Sequence, residues 1–131
     1  MRLIGSTAAV AVLATVSSTC PAQEPEARTF KPGAMAEHVA EASGQCRQRG
    51  TDAVIVGIDY RSASEGSFYR ARFSCGAQAP SDVPVTFQSE DFTRIKSDLD
   101  VYCQKRSSAG AEVAMEPAVS ERVSKVTFRC K

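Results

Sequence analysis

The sequence predicts an α+β two-layer sandwich, in which two helices pack on one face of a four-stranded antiparallel sheet. Three observations predict it. Aligning Cys46 with Cys103 superimposes two helical patterns without a gap, which indicates an internal repeat. Each pattern is followed by apolar or alternating runs typical of strands. Each half then ends with a similar seven-residue segment, YRARFSC in the first and KVTFRCK in the second. We therefore expect one domain over 29–131 built from tandem αββ pseudo-repeats at 29–75 and 86–130.

The N-terminal residues have the pattern of a secretory signal peptide. Arg2 precedes an uncharged run of small and apolar residues that is too short and interrupted to span a bilayer. Small residues follow, and cleavage is expected before Gln23. A buried N-terminal helix is the alternative, but Pro21 ends the segment and no cap begins it. We therefore expect a periplasmic or secreted protein, with a signal peptide at 1–22 and an N-terminal tail at 23–28.

Cys20 raises a second possibility for the mature N-terminus. A cysteine directly after an apolar run can be the lipidated first residue of a bacterial lipoprotein. Here Ser17, Ser18 and Thr19 precede it, where that pattern needs a branched apolar residue and then Gly or Ala next to the cysteine. The sequence favours a soluble exported protein, and a membrane-anchored lipoprotein is the alternative.

The four remaining cysteines predict two disulfide bonds. An even number of cysteines in a short exported chain is typical of disulfides, whereas zinc sites need close pairs such as C-x-x-C, which are absent here. In a helix–hairpin unit the second strand returns to the edge where the helix ends. A cysteine late in the helix therefore meets one at the end of the hairpin. The predicted bonds are Cys46–Cys75 and Cys103–Cys130. Each closes a loop of about thirty residues and should add roughly 3–4 kcal/mol to the free energy of unfolding.

The composition argues against a general electrostatic attraction to polyanions. Without Arg2, the chain has 15 basic and 15 acidic residues, so it has no net field to attract nucleic acid or an anionic membrane. Trp is absent, and the chain has only six Phe and three Tyr. A domain of this size with few aromatics has a modest core, which the disulfides are expected to supplement.

Two helices are predicted from capping residues and apolar stripes. Ser89 is a good N-cap for the second helix, and Lys105 and Arg106 put positive charge at its end. Pro32 suits the first turn of the first helix, and Gly50 can end it. The apolar stripes at helical spacing are Met35, Val39, Ala42 and Cys46 in the first helix and Phe92, Ile95, Leu99 and Tyr102 in the second.

A two-stranded hairpin is predicted after each helix. The first strand of the first hairpin is almost entirely apolar, which indicates a central strand. The Gly/Pro-rich stretch at 76–84 is expected to be a connector between the halves. The predicted strands are 53–58 and 68–75 in the first unit and 111–116 and 123–130 in the second, with polar turns at 62–67 and near Ser120-Glu121.

Side-chain alternation gives one functional expectation. Tyr69, Ala71 and Phe73 should face the helices, and the opposite face should be uncovered. That face carries an aromatic and four basic side chains, so we expect it to bind a protein or an anionic cell-envelope polymer. The alternative is an ordinary solvated face whose Arg and Lys residues protect strand edges. The predicted binding surface consists of Phe68, Arg70, Arg72, Lys125 and Arg129.

The sequence predicts no catalytic, cofactor-binding or metal-binding residue. It has neither a G-x-S-x-G elbow nor a phosphate-binding glycine loop, and the expected disulfides leave no free thiol. His38 and Glu41 have H-x-x-E spacing, but a di-metal site needs a second such pair. Acid–base chemistry would require the carboxylates of Asp59, Glu116 and Glu121 to converge in one cleft.

These observations favour a small non-enzymatic binding module of the bacterial envelope, such as an inhibitor or immunity-type protein. One alternative is an envelope-structural protein or a lipoprotein anchored through Cys20. Another is a small carboxylate-dependent hydrolase. No cofactor, no nucleic-acid partner and no transmembrane segment after signal removal are expected. The oligomeric state is left open.

Overall fold

The computed structural model describes residues 25–63, 66–76, 82–106 and 108–131. In these ranges two α-helices pack against a six-stranded mixed sheet. The predicted α+β class with two helices on a sheet is therefore confirmed, whereas the predicted four-stranded and wholly antiparallel sheet is wrong. The predicted signal peptide and part of the connector lie outside the described residues. No helix in the described ranges is long and apolar enough to cross a membrane.

Each half of the chain has the element order β-α-β-β rather than the expected α-β-β. The strands lie across the sheet in the order β1-β3-β2-β4-β6-β5, so the last strand of each half lies between its other two. The elements are β1 (Arg28–Phe30), α1 (Met35–Arg47), β2 (Asp52–Ala63), β3 (Gly66–Gly76), β4 (Val83–Gln88), a 3₁₀ turn (Ser89–Asp91), α2 (Phe92–Gln104), β5 (Ala111–Glu116) and β6 (Val123–Cys130).

The two additional strands, β1 and β4, account for the difference from the predicted sheet. β1 has only three residues and begins inside the predicted tail. β4 begins inside the predicted connector and contains Pro84. It is parallel to β2, to which it pairs at Ile58 and Val85, while all other neighbouring strands described here are antiparallel. The join between the two halves is therefore what makes the sheet mixed.

The hydrophobic core lies between the helices and one face of the sheet. Tyr69, Ala71 and Phe73 of β3 are buried, as their alternation predicts. Val126 and Phe128 of β6 are buried on the same side. The helices contribute buried residues from the predicted stripes, namely Met35, Ala42 and Cys46 of α1 and Ile95, Leu99 and Tyr102 of α2.

A β-bulge in β2 reverses which residues of this strand face the core. The register with β3 shifts between Ile55 and Gly57, which leaves Val56 as the extra residue. Ile55 is buried before the bulge and Ile58 is buried after it. The alternate positions after the bulge therefore face away from the helices, and they are Gly57, Asp59 and Arg61.

Both predicted disulfide bonds are present. Cys46 near the end of α1 bonds to Cys75 near the end of β3, with a Cα–Cα distance of 5.3 Å and a sequence separation of 29. Cys103 bonds to Cys130 with a Cα–Cα distance of 5.2 Å and a separation of 27. Each bond joins the helix of one half to the hairpin of the same half, as the sequence predicts.

Candidate functional site

The sheet face opposite the helices, which we call the open face, carries all five residues of the predicted binding surface. Alternation on β3 puts Phe68, Arg70 and Arg72 there, because the intervening Tyr69 and Ala71 are buried. The same reasoning places Lys125 and Arg129 on the open face of β6, where Val126 and Phe128 are buried. The strand parity behind the prediction thus holds in the structure.

The strand order divides these residues into two groups. β3 and β6 are separated by β2 and β4, so the groups lie three strand spacings apart, about 14 Å. One group belongs to β2 and β3 in the first half of the chain. The other belongs to β5 and β6 in the second half. The single platform implied by a four-stranded sheet is therefore replaced by two surfaces with different surroundings.

The second surface is balanced in charge. Arg129 Nη2 lies 3.3 Å from Glu112 Oε1 across the β5–β6 pair. Lys125 lies opposite Glu116 in the same register. Each cation of β6 therefore faces a carboxylate of β5 on the open face. This arrangement is what the alternative interpretation, an ordinary solvated sheet face, would produce.

The first surface has more cations than anions. Arg72 Nε lies 3.2 Å from Asp59 Oδ2, and its guanidinium rests on the sheet over Gly57. A Cβ at position 57 would collide with Arg72 Nη2. Asp59 is directly opposite Arg70 in the register, yet its carboxylate pairs with Arg72. Arg70 is thus left without an ion pair among the residues that the structure describes.

Arg70 forms part of a shallow depression that we call the arginine cluster. Arg70 of β3 lies opposite Thr29 of β1. Arg61 of β2 lies opposite Phe68 of β3, two residues nearer the hairpin turn. Arg61, like Arg70, makes no ion pair within the described ranges. Phe68 is partly buried, and the two arginines are exposed. The depression is lined by Ala27 and by the four residues that define the cluster, Thr29, Arg61, Phe68 and Arg70.

The arginine cluster has the chemistry of an anion-recognition site. A guanidinium offers a planar set of N–H donors that matches a carboxylate or a phosphate in two parallel hydrogen bonds. Thr29 adds a hydroxyl, and Phe68 adds apolar surface. These groups are suited to binding an anion.

Thr29 and Arg61 are the members of this cluster that sequence analysis does not identify, and Arg61 is the charged one. The first strand was expected to end at residue 58, whereas β2 continues to Ala63. Alternation counted forward from the buried Ala53 would put Arg61 toward the core, and the bulge at Val56 reverses this. Counting backward from the turn at 62–67 across the hairpin would have placed Arg61 beside Phe68. The hairpin register, rather than the alternation along the strand, therefore predicts the position of Arg61.

The carboxylates considered for catalysis do not converge. Asp59 is on β2 and Glu116 is on β5, three strand spacings or about 14 Å apart. Paired catalytic carboxylates in glycosidases lie roughly 5–10 Å apart. Glu121 lies in the segment between β5 and β6, where it borders a different depression with Gln88. The structure therefore gives the hydrolase alternative no acid–base pair from these residues.

His38 lies beside the core rather than in a metal site. Its ring centroid is 6.4 Å from that of Phe30, and its Nδ1 is buried without a hydrogen-bond partner among the described residues. No group of three or more His, Cys, Asp or Glu side chains suited to a metal ion occurs in the part of the chain that was described.

Fold and site together define a disulfide-braced α+β protein with helices on one sheet face and an arginine cluster on the other. No protein-family model, curated protein or solved structure matches the chain. What the protein binds is therefore inferred from the chemistry of its own surface.

Proposed function

We propose that this protein is a small, exported, non-enzymatic binding module that recognises a carboxylate-bearing protein partner through the arginine cluster. It would act as an inhibitor or an immunity-type protein by covering a site on that partner. The observation that carries the proposal is the pair of guanidinium groups of Arg61 and Arg70. They lie on adjacent strands beside Phe68, and neither has an ion pair among the described residues.

The comparison between the two halves supports a binding role for this cluster. On a solvated sheet face, like charges at neighbouring positions are unfavourable and opposite charges at such positions are favourable. The second half follows this rule, since Arg129 and Lys125 face carboxylates on β5. In the first half Asp59 is opposite Arg70 but its carboxylate pairs with Arg72, and Arg61 and Arg70 are diagonal neighbours. A carboxylate placed between the two guanidiniums would relieve this repulsion.

The chemistry of the cluster favours a protein over a cell-envelope polymer. Arginine and aromatic side chains are enriched at the energetically important centres of protein interfaces, and Phe68 provides the apolar surface that such a centre needs. Two disulfides brace the sheet, which limits the ordering cost of association. An anionic polymer without apolar groups would engage the two guanidinium groups and leave Phe68 uncovered.

Export is the second part of the proposal. The signal-peptide pattern at 1–22 supports it, and the two disulfides fit an oxidising compartment such as the periplasm or the extracellular medium. Mass spectrometry of the mature protein tests this directly. We expect a chain that begins at Gln23. A diacylated chain that begins at Cys20 would instead identify an anchored lipoprotein, and an intact leader would contradict export.

Affinity capture from an envelope extract tests the binding proposal. The wild type should retain an acidic protein, and the double variant Arg61→Glu/Arg70→Glu should lose at least about tenfold in affinity because close charge pairs at interfaces contribute strongly. The matched control is Lys125→Glu/Arg129→Glu, which makes the same charge change on the balanced surface and should keep the partner. Retention of the partner by the first variant, or equal loss by both, would overturn the assignment to the arginine cluster.

A further inference from the structure

A second concave site lies on the helical layer, in the groove between α1 and α2. Its walls are mainly apolar and include Met35 and Val39 of α1 and Val101 of α2. The groove has a volume of about 120 Å³. Cavities of about 150 Å³ are large enough to accept benzene. The groove is somewhat smaller than that but is open on one side, so it can hold a branched alkyl group or part of a small ring.

Ser43 places a polar group without a partner in this groove. The residue is only 8% exposed, and its hydroxyl makes no hydrogen bond to any other residue in the described ranges. The fully buried side-chain atoms without a partner in the described ranges are Arg28 Nε and His38 Nδ1, so the Ser43 hydroxyl is reached from the groove. The Ser43 hydroxyl is thus available to a polar atom of a molecule that occupies the groove.

The two ends of the groove differ in charge. Asp98 lies at one end, where its carboxylate is already used, because Oδ2 accepts a hydrogen bond of 2.8 Å from Gly33 N. Lys105 and Arg106 lie at the other end, about 10 Å farther along the helix axis. Lys105 forms no ion pair with any described residue. A molecule in the groove would therefore meet positive charge at the end that is free.

Basic residues near a helix C-terminus are common because they complement the helix dipole. Two observations distinguish this site from that ordinary case. The charges border an apolar groove rather than open solvent, and the groove contains the unpartnered Ser43 hydroxyl. Arg106 is also held in place, since its Nη1 donates to the carbonyl of Ala53 at 3.1 Å and its guanidinium lies 5.6 Å from the centre of the Tyr102 ring.

We propose that this groove binds a small apolar carboxylate. The apolar group lies between Val39 and Val101, the carboxylate lies between Lys105 and Arg106, and the Ser43 hydroxyl donates a hydrogen bond to it. The proposal is independent of the arginine cluster, which lies on the opposite face of the sheet. An experiment that contradicts one of the two proposals therefore leaves the other unaffected.

Amide NMR titrations with three matched probes test the proposal. Phenylacetate carries both the ring and the carboxylate, and it should bind with a dissociation constant on the order of 1 mM, as expected for so small a ligand. Its chemical-shift changes should be confined to the groove. Phenethylammonium keeps the ring but reverses the charge, and it should bind at least about fivefold more weakly. Acetate lacks the ring and should give no saturable shifts.

Three variants locate the site. Ala40 is an exposed residue of the groove wall, so Ala40→Phe should block the groove without disturbing the core. Lys105→Glu reverses the charge at the free end. Both should weaken phenylacetate at least about fivefold, while Lys31→Glu, an exposed charge outside the groove, should not. Unchanged affinity in a folded Ala40→Phe protein, or equal affinity for phenylacetate and phenethylammonium, would overturn the proposal.

Discussion

The hydroxyl of Tyr102 in α2 accepts a hydrogen bond of 3.0 Å from the backbone N–H of Ile55 in β2. Two residues earlier, the carbonyl of Ala53 accepts a bond of 3.1 Å from Arg106. β4 pairs with β2 only farther along, at Ile58. The helix of the second half thus completes the hydrogen bonding of a strand in the first half. This contact ties the two disulfide-braced halves into one structure.

Removing the Tyr102 hydroxyl should destabilise the protein measurably. Tyr102→Phe leaves the buried Ile55 N–H without a partner, which costs about 1–3 kcal/mol. Tyr60→Phe is the matched control, because among the described residues the Tyr60 hydroxyl bonds to the exposed Ser67 side chain alone, and its loss should cost under about 0.5 kcal/mol. Urea unfolding measures both. Similar losses for the two variants would show that the bond between the halves contributes little.

The two disulfides should contribute equally to stability. Their loops are almost the same length, with separations of 29 and 27, and each should contribute roughly 3–4 kcal/mol by restricting the unfolded chain. Cys46→Ala/Cys75→Ala and Cys103→Ala/Cys130→Ala should therefore lower the urea midpoint by similar amounts. A large loss for one pair beside no loss for the other would contradict the description of two equivalent braced halves.

Asp98 should make stability fall as the pH rises. Burial raises the pKa of its carboxyl, although the hydrogen bond from the Gly33 N–H opposes this. The folded protein therefore binds this proton more tightly than the unfolded chain does, and ionisation of Asp98 costs stability from the ordinary carboxyl range up through its raised pKa. Asp98→Asn keeps an oxygen acceptor for Gly33 and removes the titration. As the pH rises from the ordinary carboxyl range through the raised pKa of Asp98, the free energy of unfolding of Asp98→Asn should increase relative to that of the wild type. Above this range the difference should be constant.

Asp100, two residues away, provides a control of opposite sign. Hydrogen bonds from the Ala111 N–H and the Lys96 side chain lower the pKa of its carboxyl. Its ionised form therefore stabilises the fold, and this contribution is lost as the pH falls through the lowered pKa. Asp100→Asn should lose stability relative to the wild type at neutral pH and approach it in acid. The free energy of unfolding of each variant, relative to the wild type, is compared across the pH range. The same pH dependence for both Asn variants would contradict the two assignments.

Gly57 should determine where the Arg72 side chain lies. Gly57→Ala places a methyl group where Arg72 Nη2 now lies, so the guanidinium must move and its pair with Asp59 should break. The pair is largely exposed, so the stability change should stay within about 1 kcal/mol. NMR of the Arg72 side chain measures the displacement. Gly44→Ala is a control with free space around the new methyl group, and it should leave the Arg72 signal unchanged.

The sequence predicts well what depends on short-range pattern. The alternation of β3 identifies the buried Tyr69 and Phe73, and the return of each hairpin to its helix predicts both disulfides. β1 is too short for any periodicity to reveal, because it has three residues. β4 alternates, but its Pro84 and the Gly/Pro-rich surroundings are typical of a connector. Val85 pairs with Ile58 of β2, and Pro84 lies opposite Thr127 of β6.

The candidate site depends on long-range features that no local pattern contains. Phe68, Arg70 and Arg72 could be predicted because strand parity alone places them on the open face. Their separation from the β6 cations could not be predicted, because it follows from the insertion of β4 beside β2. Arg61 was hidden by the extra residue at Val56, which reverses the parity of the strand. A single bulge thus decided which charged residue completes the arginine cluster.

The most direct test of the central claim is a binding footprint on the open face. Amide NMR spectra of the wild type are recorded during titration with a short glutamate peptide as the probe. The largest shifts should fall at Arg61, Phe68 and Arg70, should weaken as salt is added, and should vanish in Arg61→Glu/Arg70→Glu. Shifts centred on β5 and β6, or the absence of shifts at the arginine cluster, would contradict the account.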